Sequence, residues 1–391
     1  MTSQTPSSAL ALEAQADRAA GHGGLVEARR LLDAATRAEP GRIEPWLKLA
    51  AICRGLGDLP GALSAVEGAL TAEPLGFVPL LLKANILEKL GRQGEAGEIY
   101  GYALAQQPPD IPPHLESMIE HARRAHAAYL SAEDERLQKA QAMAGAPLTD
   151  AEEARLARLR SNILRKTRPY HSEPTHFHYP GLREREFHDP EHFPWLERLA
   201  AATSAIAEDF HRVAKAERAE LVPYIQYPDS APVRQWAELN RNPAWTAIHL
   251  IRNGEIVTAN ARNCPATMAL LDTLDLPAIP GRGPNAMFSL LAPGAHIPPH
   301  NGVANTRLVC HLPLIVPDGC WFRVGAERRP WVEGEPWIFD DTIEHEAMNP
   351  SDRLRVILIL DTWHPDLSPA ERLAVSAILA ASDSGGGAQA L

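Results

Sequence analysis

Apolar and small residues recur with a fixed period through the first third of the chain. Glu39-Pro40, Glu73-Pro74 and Gln107-Pro108 stand 34 residues apart, as do Gly23, Gly57 and Gly91, and Ala28, Ala62 and Ala96. Bulky positions keep the same register: Trp46 maps onto Leu80, and Val66 onto Tyr100. Small residues at fixed points let paired helices approach closely; a Gly ends the first helix of each unit and a Pro stops the second. The pattern predicts three helical hairpins over residues 9–42, 43–76 and 77–110. Residues 111–170 read as a charged helical linker. Its end, ARLARLRSNILRKTRP, carries six basic residues among Leu and Ile. A membrane-surface or anion-binding helix has this composition too, but a solvated linking helix is the simpler reading. Near residue 170 the pattern changes to short apolar runs rich in Pro, Phe, Tyr, Trp and His. Strands are predicted at AMFSLLAP (286–293), TRLVCHLPLIV (306–316), CWFRVG (320–325), PWIFDD (336–341) and RLRVILILDTW (353–363). Turn signals (PGAH, PDG, EGEP, NPSD) separate them.

The 34-residue unit resembles the tetratricopeptide (TPR) repeat, and three copies are about the minimum for a stable stack. The strand succession suits an antiparallel barrel or jelly roll, whose mouth is a usual place for a small ligand. The expected fold is therefore multidomain α + β: an α-solenoid over residues 9–110, the linker, then a double-stranded β-helix (jelly-roll, cupin-like) over 171–370. Residues 371–391 read as a C-terminal helix with a disordered tail after Ser382, and residues 1–8 as a disordered start.

Composition narrows the partners. The net charge of −11 over 391 residues carries no basic excess, so nucleic acid is not an expected partner. No run of about 18 apolar residues exists, so no stable membrane insertion is expected. The first residues, MTSQTPSSALALEAQ, lack the pattern of a signal peptide. The four cysteines, Cys53, Cys264, Cys310 and Cys320, form no C-x-x-C pair. Reduced thiols and a cytoplasmic location fit that best.

The chemistry gathers in the second half. HIPPHNGVANTRLVCH holds His296, His300 and His311, with no Asp or Glu two residues after His296 or His300. His345 follows a predicted strand, 45 residues after His300. Histidines on neighbouring strands can reach one metal at about 2 Å. Arg355 shares a strand face with Ile357 and Ile359. A charged residue on an inward face is costly unless paired, and no nearby carboxylate is evident. On the strand from Thr306, alternation puts Arg307, Val309 and His311 on one face. Two inward arginines and three histidines around one cavity read as a metal with a dicarboxylate, the combination of a 2-oxoglutarate-dependent iron(II) site. His296 reads as a polar residue of a Pro-flanked turn. His176 and His178 read as residues of an entry strand, and Trp331, Trp337 and Trp363 as packing.

Two segments carry a specific likeness: H-x-G-x-x-N-x-R-L-x-x-H-L from His300 and F-D-D-x-x-x-H-E from Phe339. With HYPGL, FPWL and NCPATMALL, they make residues 175–370 similar to the aspartyl/asparaginyl β-hydroxylase family. The resemblance implies iron(II), 2-oxoglutarate and O2. It places the metal on His300 and His345, with Gly302 where other iron sites carry a carboxylate. It makes Asp341 the residue that orients metal-bound water. It assigns 2-oxoglutarate to Ser289, His311 and Arg355, and a substrate carboxylate to Arg307. One position departs: some members carry an Arg where this chain has Val309, two residues before His311. The implied reaction is hydroxylation of the β-carbon of Asp or Asn in a peptide or protein, recruited by the repeats. The alternatives are the same chemistry on a lipid acyl chain or small molecule, a halogenase using the vacant carboxylate place, or a non-catalytic TPR adaptor.

Overall fold

A computed structural model describes residues 8–216, 222–226 and 240–382. The proposed disordered segments, residues 1–7 and 383–391, lie outside the described residues, whereas Ser8 is the N-cap of the first helix. The chain divides into two compact units between Lys166 and Thr167.

In the first unit each repeat is a helical hairpin: α1 (Ala9–Gly21) with α2 (Leu25–Ala38), α3 (Ile43–Gly55) with α4 (Leu59–Ala72), and α5 (Phe77–Lys89) with α6 (Gln93–Ala105). Gly23, Gly57 and Gly91 follow the first helix of each pair at φ of 81°, 75° and 77°, a conformation that side chains with a Cβ resist. The next residue closes the helix end: Gly24, Asp58 and Arg92 donate to the carbonyls of Ala19, Cys53 and Leu87. Ala28, Ala62 and Ala96 are fully buried between the helices. The stack then continues into α7 (Glu116–Met143), whose Ile119 and Ala122 join the core around Tyr100. α8 (Asp150–Ile163) starts with a Thr149/Glu152 capping box and buries no residue.

α7 sits close against α6 because Gly97 has no side chain. A Cβ there would stand 2.4 Å from Tyr129 Cβ, an atom that the backbone of α7 holds in place. Gly97→Ala should therefore cost about 1–3 kcal/mol. Urea unfolding of the full chain measures it; a midpoint equal to wild type refutes the close approach.

The second unit is layered. The larger sheet joins β1 (Val222–Pro223), β2 (Trp245–Arg252), β3 (Glu255–Ile256), β4 (Ala286–Leu291), β6 (Arg307–Ile315), β9 (Trp337–Phe339) and β11 (Arg355–Trp363). The smaller joins β5 (His296–His300), β7 (Trp321–Val324), β8 (Glu327–Pro330) and β10 (His345–Met348). All pairings in both sheets are antiparallel. The order β4-β11-β6-β9 faces β5-β10-β7-β8, and from β4 to β11 the chain passes back and forth between the sheets, apart from the β7-β8 hairpin, as in a jelly roll.

Alternation along β4, β6 and β11 divides the larger sheet. Leu308, Cys310, Leu312, Phe288, Leu358 and Leu360 point outward, onto α9 (Leu196–Ala201), α10 (Thr203–Ala214) and α12 (Pro265–Leu271). A short α11 (Thr258–Ala261) precedes α12, and α13 (Pro369–Ala381) ends the described chain behind a Ser368/Glu371 capping box. The opposite faces of the same strands turn toward the smaller sheet, with Met287, Leu291, Val309, Ile357 and Ile359. Burying each large apolar side chain stabilises by about 1.5–3 kcal/mol. Both faces are covered, so the larger sheet is rigid, and the polar residues on its inner face hold fixed positions. The four cysteines are buried and free. Among the described residues no helix is long and apolar enough to cross a membrane.

Candidate active site

The polar residues of the inner faces line one cavity of about 110 Å³ between the sheets. It brings together all seven residues singled out in the sequence: Ser289, His300, Arg307, His311, Asp341, His345 and Arg355.

His300 and His345 are cross-strand partners on β5 and β10, their ring centroids 4.1 Å apart. His300 Nδ1 lies 2.8 Å from the Pro298 carbonyl and His345 Nδ1 lies 3.0 Å from the Ile343 carbonyl. A carbonyl only accepts, so each Nδ1 carries the proton and each Nε2 keeps its lone pair. Burial pushes His345 down to about 4 and holds His300 well below the usual histidine range, where His345 adds to the shift. Two neutral imidazoles side by side, each oriented through its other nitrogen, are a metal-ligand arrangement.

Among the described residues, no group of three His, Cys, Asp or Glu side chains gathers to hold a metal. The reason is local. A Cβ on Gly302 would stand 2.2 Å from Asp341 Oδ2 and 2.3 Å from its Cγ, so the Asp341 carboxylate occupies the space of a side chain at 302. The Gly302 amide donates to the Asp341 carbonyl at 2.6 Å, locking the two backbones together. Asp341 Oδ1 is buried without a hydrogen-bond partner. A divalent cation with two imidazole ligands and waters in its remaining places fits these donors, since such a water can satisfy Asp341 Oδ1.

Arg355 is 1% exposed, and among the described residues it has no carboxylate partner within ion-pair distance. Its Nη1 lies 3.5 Å from both Oγ and O of Ser289, its guanidinium covers the Trp331 ring at 4.8 Å, and its Nε has no partner. Burial lowers it to about 9. An interior cation without a counter-charge is a receptor for an anion. Trp245 Nε1 donates to Ser289 Oγ at 3.0 Å and so fixes the hydroxyl. His311 is buried with its Nδ1 unpartnered. Burial, then Arg355, lowers its pKa, so it stays neutral beside the arginine.

Arg307 is held between two carboxylates. Its Nη2 lies 3.1 Å from Asp341 Oδ2 and its Nη1 3.5 Å from Asp361 Oδ1. Burial opposes its charge, but the two carboxylates outweigh burial and raise it above the ordinary arginine value. Its charge is balanced, yet its Nε and Nη1 are buried without a hydrogen-bond partner among the described residues.

His296 is part of β5 rather than a turn, and its exposed ring pairs with Glu346 at 3.0 Å. His176 and His178 are exposed and stand apart from the cavity, although Phe177 between them bridges to Ala304. Trp331, read as packing, also forms the floor beneath Arg355. Asp361, Trp245 and Tyr224 were not anticipated. Asp361 was legible, because alternation from Arg355 puts it on the same inward face. Trp245 lies on β2, a strand the sequence reading did not propose, and it stacks on Tyr224 at 3.9 Å between centroids.

Comparisons with known proteins give the family. The aspartyl/asparaginyl beta-hydroxylase family model matches residues 201–365. The human "Aspartate beta-hydroxylase domain-containing protein 2" is 38% identical over 148 residues, 37% of this chain and 40% of that protein. The mouse "Aspartyl/asparaginyl beta-hydroxylase" is 38% identical over 135 residues, 34% of this chain and 18% of that protein. The chain thus spans less than half the length of these two relatives. The "Ornithine lipid ester-linked acyl 2-hydroxylase" of Rhizobium tropici is 34% identical over 202 residues, 51% of this chain and 68% of that protein. The matched residues span most of the jelly roll and its cavity, and the chain belongs to the aspartyl/asparaginyl β-hydroxylase family.

Proposed function

We propose that the second unit is an iron(II)- and 2-oxoglutarate-dependent dioxygenase that hydroxylates an unactivated C–H bond. One observation carries the reading: two neutral imidazoles, with no third protein ligand among the described residues, share a cavity with a buried arginine that has no counter-ion among them. His300 and His345 would hold the metal. Asp341, kept beside them by Gly302, would accept from a bound water. Arg355 and Ser289 would grip the far carboxylate of 2-oxoglutarate, and His311 would donate to its other end. Val309 supplies no charge there, so that end depends on the metal and His311. When bound, the metal and cosubstrate supply the oxidising power; the chain supplies orientation, charge balance and exclusion of water.

The favoured substrate is an Asp or Asn side chain in a peptide or protein, hydroxylated at the β-carbon. The repeat unit would recruit it, since stacked hairpins build extended binding surfaces. A second reading draws on the cavity walls. Ile225, Ile297, Val303 and Val309 line the cavity, and Arg307 is already paired. Those features suit an uncharged group, such as the acyl chain named for the Rhizobium relative. Incubation with iron, 2-oxoglutarate and either a peptide library or acyl lipids separates the two. A +16 product in one arm, abolished by His300→Ala, assigns the substrate class. Succinate formation with no +16 product in the peptide arm rules out the Asp/Asn reading.

A further inference from the structure

Asp361 has no part in the roles above, yet it is as deeply buried as the residues that do, at 4% exposure. It lies on β11 beyond Arg355, Ile357 and Ile359. Its Oδ2 accepts from Asn285 N at 2.7 Å and from Asn285 Nδ2 at 3.0 Å. Its Oδ1 faces Arg307 Nη1 at 3.5 Å, and Arg307 Nη2 reaches Asp341 Oδ2 at 3.1 Å. One guanidinium thus joins two buried carboxylates of different standing. Asp361 is anchored by two further hydrogen bonds. Asp341 Oδ1 has no hydrogen-bond partner among the described residues, and Asp341 lines the same cavity as the two histidines.

The asymmetry sets the direction of influence. A long arginine side chain carries about 2 kcal/mol of rotamer entropy, so a lone Arg307–Asp341 pair would be free to swing. Tying the other side of the guanidinium to a fixed carboxylate removes that freedom. We propose that Asp361 is a positioning residue: through Arg307 it holds the Asp341 carboxylate in the space above Gly302, beside His300 and His345, and so sets the strength of metal binding. The inference rests on the reading that these two histidines hold a metal. Asp361 never touches the metal. It replaces in two steps the rigidity that a direct carboxylate ligand would have.

The test is a double-mutant cycle in the full chain. Mn(II) is titrated by calorimetry into wild type, Asp361→Asn, Asp341→Ala and the double variant, and the thermal midpoint of each is recorded. Asp361→Asn should weaken Mn(II) binding about tenfold, the usual effect of losing a supporting group around a metal ligand. The same change in the Asp341→Ala background should weaken it no further. Equal affinity in wild type and Asp361→Asn overturns the proposal. So do losses that multiply in the double variant, because Asp361 would then act on the fold rather than through Asp341. Where Asp361→Asn does not fold, Asn285→Ala takes its place: it removes one anchor of Asp361 and should give a smaller loss with the same non-additivity. Failure of the wild type to bind Mn(II) is a different result, and it removes the metal reading itself.

Discussion

Arg355→Met is expected to weaken 2-oxoglutarate binding strongly while making the cofactor-free protein more stable. The guanidinium is 1% exposed and has a ring beneath it. Among the described residues, its polar contacts are two at 3.5 Å, both to Ser289. An uncompensated buried ion costs several kcal/mol even after relaxation. Met has a similar length, fills the same space against Trp331, and removes that cost. The thermal midpoint of the second unit should rise by a few degrees, since 1 kcal/mol corresponds to about 2–4 °C in a unit of this size. Binding should move the other way. Losing one partner of a desolvated charge pair costs about 2–5 kcal/mol, so the Kd for 2-oxoglutarate should rise at least about 30-fold. Calorimetry and scanning fluorimetry on one preparation read both effects. Arg355→Lys keeps the charge without the fork and should recover only part of the affinity. A lowered midpoint together with unchanged 2-oxoglutarate affinity would show that the arginine is structural.

Gly302→Ala should be the most damaging single methyl group in the second unit. Its Cβ would fall 2.2 Å from Asp341 Oδ2 and 2.3 Å from Asp341 Cγ. The neighbour has little room to yield, because its backbone is tied to Gly302 itself and its carboxylate to Arg307. Overpacking of this kind costs about 1–3 kcal/mol. It should also displace Asp341 and reduce turnover sharply. The cause can be isolated by compensation. Adding Asp341→Gly to Gly302→Ala removes the colliding atoms, so the double variant should lose less stability than the two single losses added together, while turnover stays low. A Gly302→Ala protein with wild-type stability and turnover would sink the claim that residues 302 and 341 compete for one space.

Most of the framework was legible because local rules write it directly. The 34-residue period, with glycines at positive φ and prolines after each second helix, foretells the hairpins. Period-two alternation foretells which side of β6 and β11 turns inward, hence Arg307, His311 and Arg355. β2 was not foreseen, because WTAIHLIR is buried on both faces and shows no clean alternation. His296 was placed in a turn because two prolines follow it; the Pro-rich run instead forms an edge strand of the smaller sheet.

The chain's own order of residues settles the residue types, the strand faces and the missing carboxylate at position 302. It does so because helix and strand periods, glycine conformation and side-chain chemistry are local properties. It says nothing of distance across the fold. That His300 and His345 stand opposite each other, that Asp341 fills the space above Gly302, and that Arg307 is shared by two carboxylates depend on register between strands far apart in sequence. Register is set by the joint packing of both faces of a sheet, where a slip of one residue would turn every inward side chain outward. Arg355 shows the division most clearly. Its inward direction follows from alternation, but that no carboxylate pairs with it among the described residues is visible only once every neighbouring strand is in place.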